Sequence, residues 1–279
     1  MRSETIIKVD NIYHSYPDGT PALNGISLDI KRGEFVALVG KNGCGKSTLI
    51  KHLNGLLIPD KGVVTVNGMD TSLPSNLWTI RQMVGMVFQN PDTQFVRTTV
   101  EEDVAFGPEN LALSSENIKK RTDKALSDTS MEEFRDREPK SLSGGQMQRA
   151  AIAGVMAMDP ECIIFDEVTS MLDQGGRREI LTYLNNIRSS GRTIIYVTHM
   201  LEEVLNADRI VLMNNNEIRY TGPPSEFFMQ EGLEEMGIEV PDIIQLIRRL
   251  QQANIIEPEF HFTDINRLAD RICRSLSGI

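Results

Sequence analysis

The sequence predicts an α/β fold built around a buried parallel β-sheet. Three short apolar runs support this prediction: residues 34–39, 162–165 and 193–197 are rich in β-branched and aromatic side chains, as buried parallel strands are. A glycine loop, two carboxylates and a polar tip with a histidine follow them, in that order. Because ligands bind at the carboxyl ends of strands in open α/β sheets, these three strand ends are the candidate site.

The loop after the first run, Gly40 to Ser47, fits the pattern G-x-x-x-x-G-K-[ST] and precedes a predicted helix over residues 46–57. Glycines let successive backbone N–H groups point inward at a helix start, where phosphate oxygens bind. We expect Lys46 to reach the β- and γ-phosphates and the Ser47 hydroxyl to bind Mg²⁺. This phosphate loop therefore predicts nucleotide binding. The nucleotide-binding residues predicted here are Gly40, Asn42, Gly43, Cys44, Gly45, Lys46, Ser47 and Thr48.

The composition is that of an ordinary globular chain. Its 279 residues, 40% hydrophobic and 24% charged, suit one large domain or a domain with an appendage. A formal net charge of −10 argues against a nucleic-acid-binding surface. Three scattered cysteines indicate a reducing compartment. Because no run approaches 18 apolar residues, we expect a cytosolic protein or one held at a membrane by a partner.

Further elements follow from periodicity and turn residues. Strands are predicted at 6–9, 26–30, 62–68 and 83–88, a helix at 177–190, and a closing hairpin at 209–213 and 217–220. The acid-rich residues 91–141 show helical patches, which indicate an inserted helical subdomain of about 91–155. We predict a nucleotide-binding domain over residues 1–222.

Residues 223–279 are predicted to form a small helical appendage, suited to dimerisation. Apolar side chains at helical spacing form two amphipathic faces, with Thr263 as the N-cap of the second helix. The first face is Ile243, Ile244, Ile247 and Leu250, and the second is Ile265, Leu268, Ala269, Ile272 and Leu276.

Four polar residues at strand ends are candidates for chemistry. Asp166 is placed to hold Mg²⁺ and Glu167 to polarise a water molecule. Gln89, after the strand at 83–88, is a candidate to bind Mg²⁺ or to orient the attacking water, although most glutamines at strand ends are merely solvated. His199 is a candidate γ-phosphate sensor, although a lone histidine is usually structural.

Aromatic residues upstream of the phosphate loop offer a contact for the base. Either Tyr13 or Tyr16 is a candidate to stack on adenine, with ordinary packing as the alternative.

A second glycine loop, Ser143-Gly144-Gly145-Gln146, opens an alanine-rich helix and is a second place to receive phosphate. One polypeptide does not need two such loops for one nucleotide, so the second loop calls for a separate explanation.

Together these motifs resemble those of the ABC-type ATPases, the nucleotide-binding subunits of ATP-binding-cassette transporters. The resemblance covers about residues 5–225, and its motifs occur in the family's order: Walker A at 40–47, the Q-loop at Gln89, the signature loop at 142–146, Walker B at 162–167, the D-loop at 170–173 and the switch histidine at His199. It implies a P-loop NTPase (RecA-like) core with an antiparallel β subdomain, an inserted helical subdomain and a small C-terminal helical appendage. It also favours Tyr16 over Tyr13.

The resemblance implies ATP with Mg²⁺ and a head-to-tail pair of cassettes, in which each signature loop covers the γ-phosphate bound by the partner's phosphate loop. The implied roles follow phosphoryl-transfer logic. The catalytic residues are Glu167, His199, Gln89 and Lys46, the metal ligands are Ser47, Gln89 and Asp166, and the second loop contributes Ser143, Gly144, Gly145 and Gln146.

Within the family, residues 88–95, 100–108 and 169–173 and the helical tail are similar to those of the energy-coupling factor (ECF) ATPases, which power importers of vitamins and transition-metal ions. The similarity implies peripheral attachment to the cytoplasmic face of the cell membrane. The implied partners are a second ABC ATPase, identical or related, an ECF transmembrane T component and a substrate-binding S component. Asp92, Glu101, Glu102 and Asp103 are candidates to receive arginines of the T component, or form a solvated face.

Three alternatives to this function stay open: an ATPase of another ABC transporter class, a soluble ABC ATPase of DNA repair or translation, and a regulatory nucleotide-binding module that is catalytically inactive. The acidic single cassette argues against the second, and Glu167 with His199 against the third. Cys44 occupies a small-residue position, and if its thiol titrates easily at the helix N-terminus, thiol reagents would block ATP binding.

Overall fold

Two β-sheets surrounded by helices make up the part of the chain that the structure, a computed structural model, describes: residues 4–230, 232–236 and 238–253. The strands are β1 Thr5–Ser15, β2 Pro21–Lys31, β3 Phe35–Val39, β4 Lys61–Val66, β5 Met69–Asp70, β6 Val84–Val87, β7 Cys162–Asp166, β8 Thr193–Thr198, β9 Arg209–Asn214 and β10 Glu217–Gly222. The helices are α1 Lys46–Leu53, α2 Pro74–Met83, α3 Val100–Asn110, α4 Ser115–Asp128, α5 Gly144–Ala157, α6 Gln174–Ser189, α7 Pro224–Phe227 and α8 Asp242–Gln252. None of these described helices is long and apolar enough to span a membrane.

The larger sheet has the strand order β10-β9-β3-β8-β7-β6, and the predicted α/β fold is confirmed. Strands β6, β7, β8, β3 and β9 run parallel, and β10 pairs antiparallel with β9. In β3 the side chains alternate: Phe35, Ala37 and Val39 enter one core cluster, and Val36 and Leu38 enter another on the opposite face. Both faces are buried, which explains why these strands are continuously apolar.

The smaller sheet is antiparallel, with the order β2-β1-β4-β5. Its inner face shares a core with α1 and with one face of the parallel sheet, where Ile7, Val64 and Leu49 are fully buried. The β1–β2 connection is a tight turn closed by the Tyr16 N–H, which donates to the Thr20 carbonyl at 2.9 Å. The start of β2, just after this turn, lies against the phosphate loop, because a Cβ atom built on Gly45 would be 2.4 Å from the Ala22 carbonyl oxygen.

The helices α3, α4 and α5 form a subdomain with its own core, made by Val100, Val104 and Leu126 together with small residues of α5. The opposite side of α5 places Ile152 against the parallel sheet, so this helix joins the subdomain to the sheet. The start of α5 therefore has a fixed place relative to the sheet, and that start carries the second glycine loop.

The hairpin predicted at the sheet edge is confirmed, with β9 and β10 joined at Asn215 and Asn216. Both asparagines have positive φ, 51° and 63°, which a tight two-residue hairpin turn requires. The turn also bonds to β2, because the Asn216 side chain donates to the Pro21 carbonyl at 2.9 Å.

Helix α2 was not predicted from the sequence. Of its ten residues only Ile80 is buried, so it shows no amphipathic stripe. The helix begins at Pro74, and proline suits the first position of a helix because its fixed φ is already helical and its missing N–H would have no partner there.

The described part of the predicted appendage packs under the parallel sheet. Phe227, Phe228, Ile244 and Ile247 are buried in the same core cluster as the sheet residues. Arg248 fixes α8 by donating to the Phe228 carbonyl at 2.5 and 3.0 Å. The second predicted helix, with Thr263 and residues 265–276, lies outside the described residues, and the domain boundary at 222/223 stays a prediction.

The packing of α8 predicts a measurable stability difference between two neighbouring positions. Ile247 is 3% exposed and Leu246 is 44% exposed. We expect Ile247→Ala to lower the free energy of unfolding by about 2–5 kcal/mol, because it leaves a cavity under the sheet. Leu246→Ala, the matched control, should change it by less than about 0.5 kcal/mol. Urea unfolding of the full chain measures both, and equal small effects would contradict the packing of α8.

Candidate nucleotide site

A cleft of about 390 Å³ opens at the carboxyl end of β3. Three parts of the fold form it: the β1–β2 turn, the phosphate loop with the start of α1, and the ends of β6 and β7. The lining residues are Tyr16, Thr20, Pro21, Ala22, Asn42, Gly43, Gly45, Lys46, Ser47, Thr48, Gln89 and Glu167. The structure thus brings together nine of the site residues predicted from the sequence, and they come from four separate stretches of the chain.

The phosphate loop has a backbone that glycine makes possible. Gly45 caps α1 at φ 100°, and Gly40 leaves β3 at φ 148°. A Cβ atom on Gly40 would lie 2.2 Å from the Met213 carbonyl oxygen, so a larger residue there would displace β9. The loop therefore wraps closely around the start of α1, whose free N–H groups attract anions.

Lys46 is 4% exposed, and its ammonium lies across the loop. Its Nζ donates to the Gly40 carbonyl at 2.7 Å and to the Lys41 carbonyl at 3.1 Å. The Glu167 Oε1 atom is 3.8 Å away from Nζ. The cation is thus held at the floor of the cleft, where it can neutralise phosphate charge.

Ser47 and Asp166 form a pair of oxygen donors beside Lys46. The Ser47 hydroxyl donates to Asp166 Oδ1 at 3.4 Å. Burial, and then the neighbouring Glu167 carboxylate, raise the pKa of Asp166 to about 6. A divalent cation would favour the ionised form of this carboxylate, and hydroxyl and carboxylate oxygens are donors that Mg²⁺ accepts. The donor set therefore fits Mg²⁺.

Glu167 connects the polar groups of the cleft. Its Oε2 accepts from Gln89 Nε2 at 3.0 Å and lies 3.6 Å from His199 Nδ1, while its Oε1 faces Lys46. The residue has φ 48°, a left-handed conformation that is uncommon for glutamate. Its N–H donates to the Val197 carbonyl at 2.9 Å, and its carbonyl accepts from Ser170. These backbone bonds hold the strained conformation at the end of β7.

Tyr16 forms one wall of the cleft and keeps part of its surface in solvent, with 39% exposed. Its hydroxyl is hydrogen-bonded to Thr48 Oγ1 at 2.8 Å, which fixes the ring above the start of α1. Tyr13 does not line the cleft. The geometry supports Tyr16 over Tyr13 as the residue that contacts the base.

Cys44 does not have the easily titrated thiol considered from the sequence. Its side chain is buried, and desolvation raises the pKa of the thiol despite the nearby Lys46 ammonium. Position at a helix N-terminus alone did not decide the pKa, because burial outweighs the favourable charges here.

The signature loop, residues 142–146, lies outside the cleft. Ser143 caps α5 by accepting from the Gln146 N–H at 3.4 Å, and the Gln146 side chain bonds back to the Ser143 N–H at 2.9 Å. Gly144 and Gly145 have open space where a Cβ atom would be. The helix start is thus fixed by a capping box, and its Ser143 and Gly144 are exposed.

Comparison with known proteins decides the family. Residues 23–170 match the family described as ABC transporter. Over 269 residues the chain is 48% identical to the energy-coupling factor transporter ATP-binding protein EcfA of Methanosarcina acetivorans, an alignment that covers 96% of this chain and 98% of the relative. The chain belongs to the ABC transporter family. It is a transport-coupled ATPase that binds ATP, as predicted.

Two solved ABC structures are similar to the chain. One, described as cbiO1 from Clostridium perfringens, part of the ABC transporter complex cbiONQ, has a TM-score of 0.76 and 37% identity, and covers 88% of this chain and 100% of that chain. The other, the dimeric ATP-binding cassette MJ0796 bound to ADP and Pi, has a TM-score of 0.71 and 31% identity, and covers 78% of this chain and 98% of that chain. The predicted P-loop NTPase fold is confirmed.

Sequence reasoning missed part of the ABC cleft. Thr20, Pro21 and Ala22 line it, but none of the three is predicted as a site residue from the sequence. Ala22 lies against Gly45 of the phosphate loop, although the two residues are distant along the chain. A contact of this kind cannot be predicted from a local sequence pattern.

Proposed function

We propose that the chain is the ATP-hydrolysing subunit of an ECF-type importer of a vitamin or a transition-metal ion. In this proposal two cassettes pair head to tail at the cytoplasmic face of the membrane, and Mg²⁺ accompanies each ATP. The main support for ATP hydrolysis is the position of the Glu167 carboxylate. It lies in the cleft, in contact with Gln89 and near Lys46 and His199.

Hydrolysis needs a water molecule aimed at the γ-phosphate and positive charge around the transferring group. In our proposal Glu167 polarises the water, Gln89 orients it, and His199 holds the γ-phosphate. Lys46 neutralises charge on the β- and γ-phosphates. Mg²⁺, when bound, neutralises further charge on the phosphate oxygens, and Ser47, Asp166 and Gln89 are the residues that would hold it.

The position of the signature loop supports the proposed pairing of two cassettes. Gly144 and Gly145 lie at the first turn of α5, where free N–H groups favour an anion, yet they do not line the cleft of their own chain. A second cassette, identical or related, would bring its signature loop to this cleft. Ser143, Gly144, Gly145 and Gln146 would then complete the partner's nucleotide site.

The importer assignment is supported by relatives named as ECF transporter ATP-binding proteins. We propose a transmembrane T component and a substrate-binding S component as further partners. Of the acids considered for the T component, three have roles inside the chain: Glu101 pairs with Arg135, Glu102 caps α3, and Asp103 accepts from the Val96 N–H. Asp92 is exposed in the turn after Gln89 and is the better candidate contact.

The proposed role of Glu167 predicts a separation of binding from turnover. In Glu167→Gln the amide oxygen can still accept from Gln89, but the base is lost. We expect ATP affinity within a few-fold of the wild type and turnover lower by about 100-fold or more. Equilibrium binding of ATP and the rate of phosphate release measure the two quantities. Exposed Glu202→Gln is the control, and turnover of Glu167→Gln at the wild-type rate would refute the assignment.

The proposed pairing predicts that a methyl group added at Gly144 lowers turnover, although the chain itself has room for it. Gly144 and Gly154 both lie in α5, and a Cβ atom on either meets nothing within 4 Å in the chain. We expect Gly144→Ala to keep the melting temperature and to lower turnover about tenfold or more, because the methyl enters the partner's phosphate site. Gly154→Ala should preserve both. Equal turnover of the two variants would argue against the pairing.

The proposed membrane contact predicts an effect of charge reversal at Asp92. We expect Asp92→Lys to reduce recovery of an integral membrane partner by about tenfold when the native complex is purified, because it repels arginines of the T component. Asp136→Lys, at an exposed acid of the same subdomain, is the control. ATP binding should be unchanged in both. Full recovery of the partner with Asp92→Lys would remove this contact from the proposal.

A further inference from the structure

A buried carboxylate beyond the cleft joins the two segments that carry Glu167 and His199. Glu203 lies in a short 3-10 helix, Leu201–Val204, and its side chain is 2% exposed. Its Oε2 atom accepts three hydroxyl hydrogen bonds: from Thr169 at 3.0 Å, from Tyr196 at 2.8 Å and from Thr198 at 2.9 Å. Burying a charge in this way is costly unless it is well bonded, so these contacts call for an explanation.

The three donors are committed to this carboxylate. An ionised carboxylate only accepts, and each hydroxyl has one proton to donate. Burial, and then the charge of Glu203, raise the pKa of Tyr196 well above its ordinary value, so this hydroxyl keeps its proton even where an ordinary tyrosine would ionise. Hydrogen bonds to a charged acceptor are about twice as strong as neutral ones. The cluster is therefore a rigid connection between its segments.

The connected segments are those that hold the chemistry. Thr169 is two residues after Glu167, and Thr198 directly precedes His199. The Thr198 hydroxyl also accepts from the Met200 N–H at 3.0 Å, which fixes the backbone on the other side of His199. The Glu167 Oε2 and His199 Nδ1 atoms are 3.6 Å apart. The segments that carry Glu167 and His199 are thus connected in two ways. The two side chains lie near each other, and Glu203 joins the neighbouring Thr169 and Thr198.

A fourth segment, which follows the D-loop, also lies close to Glu203. Arg177, in the first turn of α6 directly after the D-loop, places its Nε 3.6 Å from Glu203 Oε1. Strands β7 and β8 are already paired along their length by backbone hydrogen bonds. The cluster is therefore not needed to pair the strands, and it acts on the loops that leave them.

We propose that Glu203 is a positioning residue for ATP hydrolysis, which holds Glu167 and His199 in one fixed relation through Thr169 and Thr198. The proposal rests on the roles given to Glu167 and His199 under the proposed function. Glu203 does not line the cleft, so its loss should act on turnover and not on nucleotide binding. A small displacement of a catalytic group costs as much as about 100-fold in rate.

The test uses the full chain and a matched pair of substitutions on β8. Thr198 and Thr193 are 2% and 1% exposed, and each hydroxyl is hydrogen-bonded, but Thr193 bonds to the Gly33 N–H at the opposite end of the strand. We expect Thr198→Val to lower kcat about tenfold with the Kd for ATP changed less than about threefold. Thr193→Val should keep both values, whatever it does to stability.

Glu203→Gln tests the carboxylate itself. It should lower kcat about tenfold, and combining it with Thr198→Val should add little, because both changes break one connection. Independent, multiplying effects, or a wild-type kcat in both single variants, would overturn the inference.

Two reference variants separate this inference from the proposed function. If Glu167→Gln and His199→Ala lose turnover while Glu203→Gln and Thr198→Val keep it, only the positioning role fails. If Glu167→Gln and His199→Ala keep turnover, the proposed roles fail and the positioning role fails with them.

Discussion

The position of the Glu167 carboxylate is the constraint on which the cleft depends. Its backbone is left-handed, which is unfavourable for glutamate, and hydrogen bonds to Val197 and Ser170 maintain it. That conformation turns the side chain from the sheet into the cleft, toward Gln89, Lys46 and His199. The strain is thus localised at the residue to which we assign the activation of water.

The phosphate loop and the sheet depend on each other in a similar way. Close approach of Gly40 to Met213 and of Gly45 to Ala22 leaves no room for side chains, so the loop is held between β9 and the start of β2. The antiparallel sheet therefore has a direct part in the site, because its β1–β2 turn also supplies Tyr16. Fold and nucleotide cleft are built from the same contacts.

Much of this arrangement could be predicted from local patterns. An apolar strand followed by Asp166 and Glu167 is visible in the sequence, because the residue pattern changes from apolar to charged at the strand end. The conformation of Glu167 and the cluster around Glu203 could not be predicted in this way. Thr169 and Glu203 are 34 residues apart, and only the folded sheet brings them together. Helix α2 was missed because it buries a single residue.

In the proposed pairing, one chain holds half of a catalytic site and a second cassette completes it. Turnover per chain, measured over a range of chain concentrations with sedimentation of the same samples, tests it most directly. We predict that turnover per chain rises with concentration and levels off where the dimer forms, or rises on addition of a related cassette. Undiminished turnover by a chain that sediments as a monomer at every concentration would contradict the pairing.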